Sequence, residues 1–110
     1  MARTLITLPP QVRRDEIIEI RTLIAHAMET GYGAGADGRM LKRDLIRRFS
    51  CTFDDGAVKE LVFAAELHPA IAANPYLSFT LRAMGNGNLI FQWEGDNGFG
   101  QSETVALRVT

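Results

Sequence analysis

Apolar and polar residues alternate at a period of two along most of the chain, in short runs separated by Gly, Asn, Asp and Pro. This alternation is typical of β-strands that turn one face to a core and the other to water. In the second run, Ile18, Ile20 and Ile24 share one face, while Glu19 points the other way. Strands are predicted in this way at residues 3–8, 16–24, 44–53, 58–67, 76–83 and 89–94, and in a last run that includes residues 105–109.

Seven short strands with turn residues between them predict an all-β fold, an immunoglobulin-like antiparallel β-sandwich. The 110 residues are enough for one domain and too few for two, so this sandwich is expected to occupy residues 1–110. A domain of this size with 46% hydrophobic residues can bury a core without a disulfide or a metal. A tight turn is predicted at Gly85–Asn88, between the fifth and sixth strands.

The alternation also predicts which side chains form the core. The expected structural core is rich in aromatic rings, and its members are Phe49, Cys51, Phe63, Phe79, Phe91 and Trp93. In the fourth strand Leu61 falls on the same inward face as Phe63. In the third strand Leu45 falls on the inward face and Ile46 on the outward one.

Charge and hydropathy exclude several classes of function. The 12 Lys and Arg residues against 13 Asp and Glu give a net charge of -1, which provides no field for capturing nucleic acid or an anionic membrane. No apolar run approaches the length of a membrane-spanning helix, and the first residues have the pattern of a strand and not of a signal peptide. We therefore expect neither nucleic-acid nor membrane binding, and no signal peptide on this chain.

The single cysteine, Cys51, is the strongest nucleophile that the sequence offers. It lies in the middle of a predicted strand, on the face of Phe49 and Phe53. Burial among aromatic rings raises the pKa of a thiol and blocks access to it, so we interpret Cys51 as structural. No catalytic residue, metal site or cofactor is predicted.

Candidate binding residues fall in two connections. The first is long and glycine-rich, from residue 25 to about 42, and its mouth holds His26, Met28 and Glu29. These residues have no spacing that fixes a known metal motif, so a solvated loop or contact with a protein is favoured over a soft-metal site. The second is Pro69–Pro75, an apolar segment between two prolines, which is stiff enough to dock at low entropic cost or to cap the sandwich. The basic residues near Arg43 form either a solvated strand edge or a surface for an acidic partner.

Several motifs together resemble the SoxZ family of bacterial thiosulfate oxidation, over nearly the whole chain. They are MET-G-Y at 28–32 after His26, R-D-L-I at 43–46 followed by F-x-C at 49–51, PAIAANPYLSF at 69–79, L-x-F-x-W at 89–93 and D-N-G at 96–98. The sequence departs from the family pattern at Ala27, Gly33 and Lys42, where partner contacts could differ.

The resemblance implies an immunoglobulin-like sandwich that has no active site and pairs with SoxY, the subunit that carries sulfur intermediates covalently on a C-terminal cysteine. It further implies transient docking to SoxAX, SoxB and SoxCD, and a periplasmic location reached by export with a SoxY-like subunit that bears the signal. This chain has no glycine-rich cysteine tail, so it resembles the partner and not the carrier. The partner-binding residues expected from the motifs are His26, Met28, Glu29, Thr30, Gly31, Tyr32, Arg43, Pro69, Ile71, Asn74, Pro75 and Tyr76.

Other functions remain open at the level of sequence. One is a periplasmic copper-binding or redox sandwich that uses His26, Met28 and Cys51 as ligands. Another is a self-associating domain of the adhesion type. A third is a SoxYZ-like complex that serves a related pathway.

Overall fold

The computed structural model describes residues 3–26, 45–67 and 74–110, and every regular element within these ranges is a β-strand. The strands are β1 (Thr4–Thr7), β2 (Ile17–Ile24), β3 (Ile46–Asp54), β4 (Lys59–Glu66), β5 (Tyr76–Arg82), β6 (Gly87–Gly95) and β7 (Gly100–Leu107). They form a three-stranded sheet in the order β1-β2-β5 and a four-stranded sheet in the order β4-β3-β6-β7. The fold is an immunoglobulin-like β-sandwich, as predicted. No helix in the described ranges has the length and apolar character needed to cross a membrane.

All strand pairs are antiparallel, and the connections divide into hairpins and crossovers. β4 pairs with β3, whereas in a constant-type immunoglobulin domain the fourth strand joins the sheet of the first. The tight turn predicted at Gly85–Asn88 is wrong in its position: only Gly85 and Asn86 form a bend, and Gly87 and Asn88 already belong to β6. This short connection crosses from one sheet to the other, because β5 and β6 lie in different sheets. β6 begins at Gly87, where a Cβ would clash with the carbonyl oxygen of Asp54 at 2.6 Å.

The predicted aromatic core is confirmed between the two sheets. Phe49 lies at its centre, with its ring 5.3 Å from that of Trp93, and Cys51 and Phe91 are buried beside it. Phe63 is partly buried and stacks on Phe79 at 4.4 Å. This stacked pair joins β4 of one sheet to β5 of the other, so it closes one side of the core.

A β-bulge near the start of β3 makes the prediction for Ile46 wrong. Ile46 pairs with Gly95 and Arg48 pairs with Glu94, which leaves Arg47 as an extra residue in β3. An extra residue shifts the alternation by one position. Ile46 and Phe49 therefore both face the core, and Ile46 is completely buried.

A second irregularity, in β4, makes the prediction for Leu61 wrong. The pairs Cys51↔Phe63 and Thr52↔Leu61 are consecutive along β3, so Val62 is the extra residue in β4. Val62 packs against the core in place of Leu61. Leu61 is turned to the outer face of the four-stranded sheet, where 57% of its surface is exposed.

Candidate functional site

The connections predicted to bind partners leave and re-enter the sandwich at one of its ends. This end holds the start of β1, the end of β2, the end of β4 and the β6–β7 turn, and we call it the loop end. Its strands are aligned by the pairs Thr4↔Ile24, Arg48↔Glu66 and Glu94↔Gly100. The described residues next to the two connections, namely His26, Leu45, Leu67 and Asn74, are all hydrogen-bonded there. The described residues that flank the two connections thus lie at the same end of the sandwich.

Asn74, at the end of the second connection, is hydrogen-bonded to His26, at the start of the first. Its Oδ1 accepts a hydrogen bond from the His26 backbone N–H at 2.9 Å, and its own N–H donates to the His26 carbonyl at 2.6 Å. Asn74 has a φ of 54°, in the left-handed region that asparagine tolerates better than most residues. The next residue, Pro75, is buried and accepts a hydrogen bond from the Ile24 N–H through its carbonyl. The backbone at this point is held in one position.

The His26 side chain is half-buried against the β6–β7 turn. Its ring meets the ring of Phe99 edge-on, with 5.0 Å between the centroids. The turn itself is built by Asn97 and Gly98, whose φ values of 58° and 75° are both left-handed. The D-N-G motif therefore has a structural role that places Phe99 beside His26.

Asp96 fixes this turn to the start of β3. Its Oδ2 accepts a hydrogen bond from the Leu45 N–H at 3.1 Å, and its own N–H donates to the Leu45 carbonyl at 2.9 Å. Arg47, the bulge residue, lies with its Nη1 3.6 Å from the other carboxylate oxygen. The loop end is thus ordered by two paired backbone contacts, one at Asn74 and one at Asp96.

An exposed apolar row borders the loop end on the three-stranded sheet. Leu5 pairs with Leu23 and Leu23 pairs with Tyr76, so the three side chains lie side by side on the outer face. Leu5 is 61% exposed and Tyr76 is 57% exposed. Sequence reasoning included Tyr76 and missed Leu5 and Leu23. The sequence does place a leucine at an outward-facing position in each of the first two strands. Only the register of the strands shows that these two leucines are neighbours.

The structure brings together His26, Asn74, Pro75 and Tyr76 of the predicted partner-binding set. The other members lie outside the described residues; they are Met28, Glu29, Thr30, Gly31, Tyr32, Arg43, Pro69 and Ile71.

Comparison with protein families decides the relationship. The family model described as "Sulphur oxidation protein SoxZ" matches residues 6–106. The chain belongs to the SoxZ family. A search of curated protein sequences finds no match for it.

Solved structures similar to this SoxZ-family chain share its sandwich fold. A superoxide reductase (neelaredoxin) from Ignicoccus hospitalis has a TM-score of 0.76 at 18% identity, over 99% of this chain and 82% of that one. The sulfur carrier protein SoxY from Chlorobium limicola f thiosulfatophilum has a TM-score of 0.66 at 11% identity, over 96% of this chain and 74% of that one. At these identities the likeness shows the fold alone.

The cysteine of this SoxZ-family chain lies apart from the loop end. Cys51 is 0% exposed, and burial raises the pKa of its thiol to about 12. It pairs with Phe91, four residues before the end of β6, which places it about 13 Å down the strand from the loop end that holds His26. Cys51 and His26 thus cannot share a metal ion, which removes a copper site that uses both. Among residues 3–26, 45–67 and 74–110 no three His, Cys, Asp or Glu side chains are grouped to hold a metal.

Proposed function

We propose that this chain is the non-catalytic subunit of a SoxYZ-type sulfur carrier complex in thiosulfate oxidation. It pairs with a SoxY-like subunit, which carries the sulfur intermediates covalently on its C-terminal cysteine. The observation that carries this proposal is the SoxZ family match over residues 6–106. The complex works in the periplasm, and the chain is exported together with the SoxY-like subunit that bears the signal.

The state of Cys51 supports the assignment of the reactive thiol to the partner. A thiolate, and not a thiol, attacks sulfur. With a pKa raised to about 12 and no exposed surface, Cys51 stays protonated and enclosed at neutral pH. Sulfur carriage therefore needs a cysteine from another chain.

The loop end supports a docking role for the Sox enzymes SoxAX, SoxB and SoxCD. Binding residues act best when a rigid scaffold positions them. Here Asn74 and Asp96 hold the backbone on either side of the predicted connections, and the exposed apolar row of Leu5, Leu23 and Tyr76 lies beside them. Exposed aromatic residues such as Tyr76 are enriched at protein–protein interfaces, which supports a docking role for this row.

Co-purification of the tagged chain from cells that express the Sox proteins tests the proposal. The expected result is a one-to-one complex with a small protein whose C-terminus has a Gly-Gly-Cys-Gly-Gly-like sequence. The untagged chain, passed over the same resin, is the control for adsorption. If no such protein is retained with the tagged chain, the proposal is wrong.

A further inference from the structure

The edge strands of the sandwich are β1 and β5 in one sheet and β4 and β7 in the other. An edge strand presents backbone N–H and C=O groups that no neighbouring strand uses, and such a row pairs readily with a strand of another chain. Proteins therefore protect their edges with short strands, prolines, bulges or charges. The edges of this chain differ in how they are protected.

Within the described residues, β1, β4 and β7 all carry protection. β1 has four residues and is soon followed by two prolines. β4 is interrupted by the bulge at Val62 and has a charged residue at each end. β7 has a carboxylate on its inner face, because Glu103 lies opposite the buried Phe91 in the register. Each of these features discourages the addition of another strand.

β5 lacks such protection over its whole described length. It has seven residues, pairs with β2 without a bulge, and contains no proline and no charge before its last residue, Arg82. Seven residues extend over roughly 23 Å. β5 is therefore a long, regular edge that is open to pairing.

The hydrogen bonds to β2 show which backbone groups of β5 point outward. The Ile24 N–H donates to the Pro75 carbonyl at 3.3 Å, and the Ala83 N–H donates to the Glu16 carbonyl at 2.8 Å. In an antiparallel pair, residues that bond to the partner strand alternate with residues whose N–H and C=O point away from it. The odd-numbered residues of β5 therefore bond to β2. The residues that point outward are Tyr76, Ser78, Thr80 and Arg82, and we call them the β5 edge.

The β5 edge offers the backbone groups that a further strand needs. Each of its residues has one N–H donor and one C=O acceptor, and no described residue forms a hydrogen bond with these backbone groups. A strand laid along the edge would form about eight hydrogen bonds. A typical protein–protein interface has about ten, so this edge alone supplies most of that number.

A cleft beside the β5 edge suits a side chain of such a strand. The cleft lies between β5 and β4, has a volume of about 170 Å³, and has apolar lining residues that include Val62, Leu81 and Met84. An apolar cavity of comparable size binds a benzene ring. Because alternate side chains of a strand point to the inner side of its sheet, an added strand would point one of them toward this cleft.

We infer that the SoxY-like subunit adds one of its strands to the β5 edge and extends the three-stranded sheet across the interface. The inference rests on the proposed function. An open edge needs a cover that stays in place, because it otherwise pairs with other copies and aggregates. In the proposed function the SoxY-like subunit is the permanent partner, whereas the enzymes visit and leave. SoxY from Chlorobium limicola f thiosulfatophilum has the same sandwich fold, so a subunit of that kind has edge strands to offer.

Strand addition at the β5 edge is compatible with enzyme docking at the apolar row. The added strand lies beside β5 and is held by backbone hydrogen bonds, so it does not lie over the outer face of the sheet. Tyr76 contributes its backbone to the β5 edge and its side chain to the row with Leu5 and Leu23. The row therefore stays open when the edge is paired.

Amide hydrogen exchange tests the inference in the unmodified protein. Isotope-labelled chain is measured by NMR alone and in complex with unlabelled SoxY-like subunit. The Ser78 and Thr80 amides are expected to exchange about 100-fold more slowly in the complex, because they become hydrogen-bonded there. The Ser102 and Thr104 amides, which point outward from β7, are the internal control and should exchange at the same rate in both samples.

Thr80→Pro tests the same contact through affinity. Proline removes the outward N–H of residue 80 and leaves the hydrogen bonds to β2 in place, which an edge strand tolerates. Calorimetry with the SoxY-like subunit is expected to show binding weakened by about tenfold or more, because an acceptor on the partner loses its donor. Thr104→Pro is the matched control, since Thr104 is an exposed threonine at an outward position of β7, and it should bind within about twofold of the wild type. Circular dichroism establishes that both variants fold.

The possible failures are distinguishable. If the SoxY-like subunit binds but Ser78 and Thr80 exchange as fast as in the chain alone, or Thr80→Pro binds as tightly as the wild type, the proposed function stands and the inference is wrong. If the SoxY-like subunit does not bind, the proposed function fails and the inference fails with it. Protection of Ser102 and Thr104 instead would place the added strand at β7. Protection of Ser78 and Thr80 in the chain alone, rising with its concentration, would assign the β5 edge to a second copy, and either of these results overturns the inference.

Discussion

Cys51 has a phenylalanine beside it on each neighbouring strand, Phe63 on β4 and Phe91 on β6. The residue therefore packs as a small apolar side chain, and its chemistry is suppressed by its surroundings. The motif that contains it helps to identify the family, while the thiol itself takes no part in the proposed sulfur chemistry.

The first prediction concerns Cys51→Ser. A buried hydroxyl among aromatic rings would lack a good hydrogen-bond partner, so the free energy of unfolding should fall by about 1–3 kcal/mol. Urea unfolding measures the loss, and Cys51→Ala is the control that removes the sulfur without adding a polar group. Sulfur carriage by the complex should be unchanged. A variant that folds and pairs normally but no longer supports carriage would contradict the structural role.

The second prediction concerns pH. The pKa of the Cys51 thiol is raised from 9.0 to about 12 in the folded chain, so the folded state disfavours the thiolate. The protonated thiol makes its full contribution to stability below the pKa of the unfolded chain. This contribution is lost as the pH rises toward the pKa of the folded chain. Between about pH 9 and pH 11 the wild type should lose more free energy of unfolding than Cys51→Ala, which has no thiol. Equal losses in the two proteins would show that Cys51 titrates normally.

The strands themselves were largely predictable, because the alternation of apolar and polar residues that indicates a strand lies within that strand's own sequence. The observed bounds of β2 and β5 differ from the predicted ones by one residue at a single end. The two bulges were not predictable, since an extra residue is defined only against the neighbouring strand. For the same reason the sheet that β4 joins and the apolar row of Leu5, Leu23 and Tyr76 required the register.

The third prediction tests the bulges directly. Ile46→Ala should lower the free energy of unfolding by about 2–5 kcal/mol, because the bulge at Arg47 buries Ile46 completely. Leu61→Ala should change it by less than about 0.5 kcal/mol, because the bulge at Val62 exposes Leu61. Chemical denaturation of both variants checks the pair. Strict alternation predicts the reverse order, so a larger loss for Leu61→Ala would refute the observed register.

At the scale of the whole molecule, the described features that suit enzyme docking lie at one end of the sandwich. The loop end has an ordered backbone beside the apolar row of Leu5, Leu23 and Tyr76. The proposed function assigns this end to the enzymes that visit the complex.

The fourth prediction tests this assignment of the loop end with Tyr76→Ser. Tyr76 is exposed, so stability should change by less than about 0.5 kcal/mol. Docking of the Sox enzymes to the assembled complex should weaken by about tenfold, as expected when an exposed aromatic contact is lost. Surface plasmon resonance measures the docking, and Thr80→Ser on the same strand is the control. Unchanged docking, or loss of the SoxY-like subunit instead, would contradict the assignment of the loop end.

The central claim is that this chain is the non-catalytic half of a heterodimer whose reactive thiol belongs to the other half. Native mass spectrometry of the complex, co-expressed with the SoxY-like subunit and treated with iodoacetamide at neutral pH, tests both parts at once. The account predicts a one-to-one heterodimer in which only the SoxY-like chain gains the mass of the label. Labelling of Cys51 in the folded complex would contradict the account. A spectrum in which this chain does not associate with the SoxY-like subunit would contradict it as well.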